Sequence, residues 1–231
     1  GFVGFFECIE SVQVAGELLS HAGEWLRERG MTSIRGPQNL PVNEATPGIL
    51  TSGFGSRPVV HYQYSKPYYA ELLAASGMQP VRRVRSWEVS VNTPVEEKLV
   101  RVSALVRKRR NVTIEAWNER PLEERKSEML GVYNDAWHDN YGFVPFTEEE
   151  FYGIVDDMLL VMDKKSFSFA YSEGELAAFF GSVPNIIEKM KPIRWLPRWE
   201  LLRAVKMFLT KGGVRGSRVG YLGVKRSFRN Q

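Results

Sequence analysis

Val219-Gly220-Tyr221-Leu222-Gly223-Val224-Lys225-Arg226-Ser227-Phe228-Arg229-Asn230-Gln231 reads as an apolar strand, a basic turn, and an arginine followed by two amide residues. A short run rich in valine, leucine and tyrosine suits a strand better than a helix. Glycine inside a strand either marks a bulge or lets another group approach the backbone, and both readings are open at Gly223.

The neighbouring sequence extends this strand into a sheet with helices. FSFAYSEGELAAFFGSV (167–183) predicts a hairpin turning at Glu173-Gly174. TEEEF predicts a helix start, with Thr147 as cap and Glu150 three residues on. Pro121 opens a long amphipathic helix whose inner face is marked by Leu122, Met129, Val132, Tyr133, Ala136 and Trp137. NVTIEAWNE (111–119) has the period of a strand, and residues 92–105 suit a connector helix. Further towards the N-terminus, VRRVRSWEVSV (81–91), TSIRGP (32–37) and FVGFFEC (2–8) predict strands. Between them lie two helices. One is capped by Ser11, stopped by Gly30 and faced inward by Val14, Leu18, Leu19, Ala22, Trp25 and Leu26; the other is PYYAELLAAS (67–76), ended by Gly77. Residues 38–60 and the Trp-rich 184–200 read as loops, and LLRAVKMFLTKGG (201–213) as a helix. The class is mixed α/β (α+β), with a boundary near residue 105.

Composition narrows the function classes. At 231 residues and 43% apolar, the chain can bury one large core or two ordinary ones. Cys8 is the single cysteine, so no internal disulfide forms and a reducing, cytoplasmic setting is expected. No apolar run reaches the ~18 residues of a membrane span, so no membrane partner is expected. Basic clusters at Arg82, Arg83 and Arg85 and at Arg107–Arg110 could meet phosphates. Without a zinc-finger, RNP or helix-turn-helix pattern they read first as solvated surface, which disfavours nucleic acid. His21, His61 and His138 are far apart, so no metal site is expected. Gly-x-Ser-x-Gly, Walker A and dinucleotide glycine patterns are absent from the sequence.

The order GFFECIE, AGELLSHAGEWLRERG, IRGPQN, PYYAELLAASGM, AWHDNYGFVPFTEEEF and VGYLGVKRSFRNQ resembles the acyl-CoA N-acyltransferases of the GNAT superfamily, in a tandem arrangement. The resemblance implies a central, mostly antiparallel mixed sheet with flanking helices, in two partial copies. Residues 1–105 would be the back portion of a first, degenerate domain, and 106–231 the front portion of a second, so the sequence is expected to be a fragment of a longer protein. It implies an N-acetyltransferase using acetyl-CoA (or CoA) and a small-molecule or peptide amine, incomplete and weak in this chain. Leu222, Gly223 and Val224 would pair with the pantetheine arm, and Arg229, Asn230 and Gln231 would begin the pyrophosphate loop.

In the first half, that loop falls on Glu10–Ala15, where a glutamate stands in place of the arginine and would repel a diphosphate. Leu73 occupies the place of the general-acid tyrosine, leaving Tyr68 and Tyr69 one turn earlier, either to line a substrate pocket or to pack in the core. His138 and Tyr141, in WHDNYGF, are candidates for substrate contact, with an aromatic helix end as the competing reading. No catalytic residue is assigned. The alternative is a non-catalytic binding or assembly module. The strands at the two ends are expected to pair within the chain or to dimerise.

Overall fold

In the computed structural model, residues 1–39, 47–159, 162–189 and 214–229 are described. The Trp195, Leu196 and Trp199 loop, the helix expected over 201–213, and Asn230 and Gln231 lie outside them. Contacts divide the chain into Gly1–Glu88 and Val89–Gln231.

In the second unit, α3 (Glu97–Arg109) leads into β1 (Val112–Ala116). The helices α4 (Leu122–Ala136) and α5 (Glu148–Leu159) follow, then the strands β2 (Phe167–Ser172), β3 (Glu175–Pro184) and β4 (Ser217–Val224). The strands form one sheet of order β1-β2-β3-β4, and all three ladders are antiparallel. Mixed α/β with an antiparallel sheet and flanking helices is therefore the observed class. The boundary expected near 105 falls inside α3.

The local signals act as their chemistry requires. The Thr147 N–H donates to Glu150 Oε2 at 2.9 Å, and the Glu150 N–H donates to Thr147 Oγ1 at 3.3 Å. Glu173 and Gly174 both take positive φ, +54° and +86°, which matches the hairpin turn to the strands' twist. One face of the sheet packs Phe167, Phe169, Tyr171 and Phe179 against Met129, Val132 and Tyr133 of α4 and Phe151 and Val155 of α5. The other face leaves Ile114, Phe180, Val219, Leu222 and Val224 exposed. Ladder register slips between Gly181 and Ser182, which pair with Tyr221 and Val219, so Gly220 bulges out of β4.

The first unit differs from expectation. Instead of strands over 2–8 and 32–37, its described residues hold one parallel bridge, Phe2 to Arg35. Phe5 takes φ +50°, which breaks the extension of the first segment. The segment 81–91 keeps the β-type sequence but makes no ladder, because no described strand lies beside it. The helices do form. Helix α1 (Val12–Arg27) begins with Ser11 Oγ accepting from the Val14 N–H at 3.3 Å, and α2 spans Tyr69–Ala75. Helix α1 buries Ala15, Leu19 and Leu26, whereas Leu18 and Trp25 face out. The buried stripe is thus rotated by about one position from the expected one. Trp25 is covered instead by the Arg29 guanidinium, 3.6 Å from its ring centre. Phe6, Ala15, Leu19, Tyr69, Leu72 and Leu73 make this unit's core.

Candidate functional site

The end of β4 and the end of α4 meet through a set of polar latches. Past Val224 the chain makes a single 3-10 turn, Arg226–Phe228. Asp135 accepts from the Arg226 backbone N–H at 2.6 Å and from Arg226 Nε at 3.0 Å. These bonds, the backbone one foremost, hold the Asp135 carboxyl below its ordinary pKa. Arg229 donates through Nε to the Val224 carbonyl at 3.0 Å, and through Nη2 to the Ala136 carbonyl. A cation thus satisfies a carbonyl at the end of α4, where the helix dipole favours it. The turn that follows the strand is thereby fixed in place.

Gly223 is buried against this helix end. A Cβ there would overlap the Trp137 ring, 2.9 Å from Cη2, and crowd Ala136 Cβ at 3.2 Å. Its missing side chain admits Trp137, which stacks on Tyr133 with ring centres 4.4 Å apart. The close approach belongs to the protein on that face. Leu222 and Val224 flank Gly223 on the open face, and among the described residues no strand pairs with the outer edge of β4.

His138 and Asp139 follow directly on α4, both exposed. Their side chains pair at 3.0 Å, Nδ1 to Oδ1. The hydrogen bond to His138 holds the Asp139 carboxyl below its ordinary pKa, and the charges of Arg226 and Arg229 add to this. So β4, Arg229 and the His138–Asp139 pair gather at one end of the sheet. Tyr141 is exposed two residues beyond Asp139. An imidazole oriented by a carboxylate is a group that can accept a proton.

The other tyrosine candidates belong to the first unit, in hydrogen bonds with its opening segment. Tyr69 is buried; its hydroxyl donates to Glu7 Oε2 at 2.7 Å and accepts from the Cys8 N–H at 3.2 Å. Burial, with the bond to Glu7, raises its pKa. Tyr68 donates to the Cys8 carbonyl at 3.0 Å. Leu73 is buried in the core. The first unit also has an open cleft of about 650 Å³, lined in part by Gly16, Gly23, Arg27, Arg35 and Met78. At the start of α1, Ser11 occupies the Val14 N–H and Glu10 stands exposed beside it. These features disfavour a diphosphate there.

Sequence reasoning missed a buried ionic cluster under β1. Arg125, with no exposed side-chain surface, donates to Glu128 Oε2 at 2.8 Å, to Glu115 Oε2 at 2.9 Å and to the Tyr171 hydroxyl at 2.8 Å. Burial opposes its charge, but Glu128 and Glu115 outweigh it and raise the pKa. Arg120 grips Glu115 through Nε at 2.7 Å and Nη2 at 2.9 Å. Burial, with a hydrogen bond to Glu128, pushes the Tyr171 phenol up. A signal was present: Arg125 stands on the apolar stripe of α4, between Leu122 and Met129.

No family model matches the chain. It is 29% identical over 233 residues to protein YghO of Escherichia coli (strain K12), covering 97% of this chain and 57% of that protein. It is 27% identical over 239 residues to a bacterial ceramide synthase of Caulobacter vibrioides (strain NA1000 / CB15N), covering 99% of this chain and 59% of that one. The chain therefore spans a little over half the length of these curated relatives.

Proposed function

We propose that the chain is part of an N-acyltransferase that moves an acyl group from a thioester of the acyl-CoA type to an amine. The observation that carries this reading is the 27% identity, along 99% of this chain, to a protein named ceramide synthase. A ceramide is an amide, and forming one means acylating the amine of a long-chain amino alcohol. The order strand, two helices, three antiparallel strands agrees with the opening of a GNAT-like domain. In that reading the edge of β4 that no described strand covers receives the pantetheine arm as an added strand. Arg229 and the residues after it approach the pyrophosphate. The first unit is then a non-catalytic remnant, in keeping with Glu10 at the start of α1.

The reaction balances simply. The amine nitrogen attacks the thioester carbonyl carbon, a C–N bond replaces the C–S bond, and the thiol leaves. The ammonium proton must go to a base, for which His138, oriented by Asp139, is the candidate. The resemblance to acetyltransferases suggests acetyl-CoA as donor, whereas the ceramide-synthase relative favours a longer acyl chain. Both are covered by one assay. The whole protein that carries this chain is incubated with acetyl-CoA or palmitoyl-CoA and a long-chain amino alcohol. Thiol release and the amide mass are then followed. Amide formed with either donor is the expected result and identifies the acyl length. Neither thiol release nor amide with either donor would overturn the proposal.

A further inference from the structure

We infer that α3 docks on an anionic lipid surface. This helix buries none of its residues. Leu99, Val102 and Val106 recur at spacings of three and four, so they form one narrow apolar stripe, and Val95 stands in the non-helical stretch just before the helix. Each is exposed, from 67% at Val95 to 41% at Val106. Lys98 and Arg109 run along one margin of the stripe and Arg107 lies off the other, while Arg101 and Lys108 occupy the opposite face. Residues 95–110 hold six basic and two acidic side chains, a surplus of four that equals the net charge of the whole chain. Among the described residues, none of these six basic side chains makes a salt bridge.

An apolar stripe bordered by cations is the pattern of a helix that lies in a membrane interface. The apolar residues enter the acyl boundary, and the cations meet lipid phosphates. The charge selects the occupant: an acidic bilayer complements this face. No helix among the described residues is long and apolar enough to cross a membrane, so the contact is with its surface. The expectation of no membrane partner considered spanning segments alone. A nucleic acid would also answer the charge, but it would leave the valine and leucine stripe in water.

The test is co-sedimentation of the whole protein with vesicles, which needs no catalytic activity. Vesicles of phosphatidylglycerol and phosphatidylcholine should retain the protein, and phosphatidylcholine alone should not. Replacing Arg107, Lys108 and Arg109 together by Gln should weaken binding about a hundredfold. Leu99→Asn with Val106→Asn should weaken it about tenfold or more. Because α3 buries nothing, circular dichroism should show both variants folded. No retention on the acidic vesicles would overturn the inference, as would retention unchanged by the Leu99 and Val106 pair. So would DNA binding that survives the same pair while vesicle binding is absent.

Discussion

Arg125 is fully buried, and its charge persists because two carboxylates converge on it. The aromatic faces of Phe169, 4.0 Å from the Arg125 guanidinium, and Tyr171, 4.4 Å from that of Arg120, close the cluster. Removing one partner of a buried pair is costlier than the pair is worth, because the other charge stays behind unmatched. The Arg120 hydrogen bond, against the cost of burial and with help from Arg125, holds the Glu115 carboxyl at about 2, below its ordinary 4.5. A depressed carboxyl stabilises the fold above its unfolded value. That contribution fades as pH falls from about 4.5 towards about 2. Glu115→Gln keeps the shape and removes the charge. It should lower unfolding stability at pH 7 by roughly 1.5–3 kcal/mol. In urea titrations across pH, the gap between variant and parent should then shrink through that acid window. A gap that stays constant down to pH ~2 would show that ion pairing is not its source.

Among the elements, those with self-contained local chemistry were legible in the sequence. The Thr147–Glu150 box, the Ser11 cap, and the Glu173-Gly174 hairpin need only residues adjacent in the chain, and all three formed as read. The terminal strand and its basic turn formed too. What failed depended on partners. The β-type residues 81–91 cannot form a strand without a neighbour to pair with, and the stripe of α1 was set by what packs against it, Tyr69, Leu72 and Leu73. Within the candidate site, Gly223, Arg229, His138 and Tyr141 were legible as residues. The latch between Asp135 and Arg226 spans 91 positions and left no local signal. The hairpin shows where local chemistry can still be improved. Glu173 sits at φ +54°, a conformation that asparagine tolerates far better than glutamate. Glu173→Asn should raise unfolding stability by about 0.5–1 kcal/mol, read from the denaturant midpoint. A lowered midpoint would mean that the Glu173 side chain makes a contact worth more than the strain.

At the scale of the whole molecule, the described residues gather into two cores. The first unit gathers around Phe6, Leu19 and Tyr69, and the second around Met129, Phe169 and Phe179. Residues 80–96 carry the chain from one unit to the other without helix or strand, and every one of them is exposed. Trypsin needs an accessible segment outside regular structure, and Arg82, Arg83 and Arg85 stand in one. The basic residues of α1, α3 and α4 lie in helices, where cleavage must wait for local opening against the helical hydrogen bonds. Cleavage that follows such openings tracks their free energy, so the arginines outside the helices should be cut first. Limited tryptic digestion, followed by intact-mass measurement, should therefore show cuts after Arg82, Arg83 or Arg85 before any cut in α1, α3 or α4. If cuts within α3 come first, the stretch before it is protected in solution, and β-type pairing by Val84, Trp87 and Val89 becomes the better account of that segment. Equal rates at both places would instead show that α3 opens as readily as a loop, which its 13 residues, without a buried face, permit only if nothing outside the chain holds it.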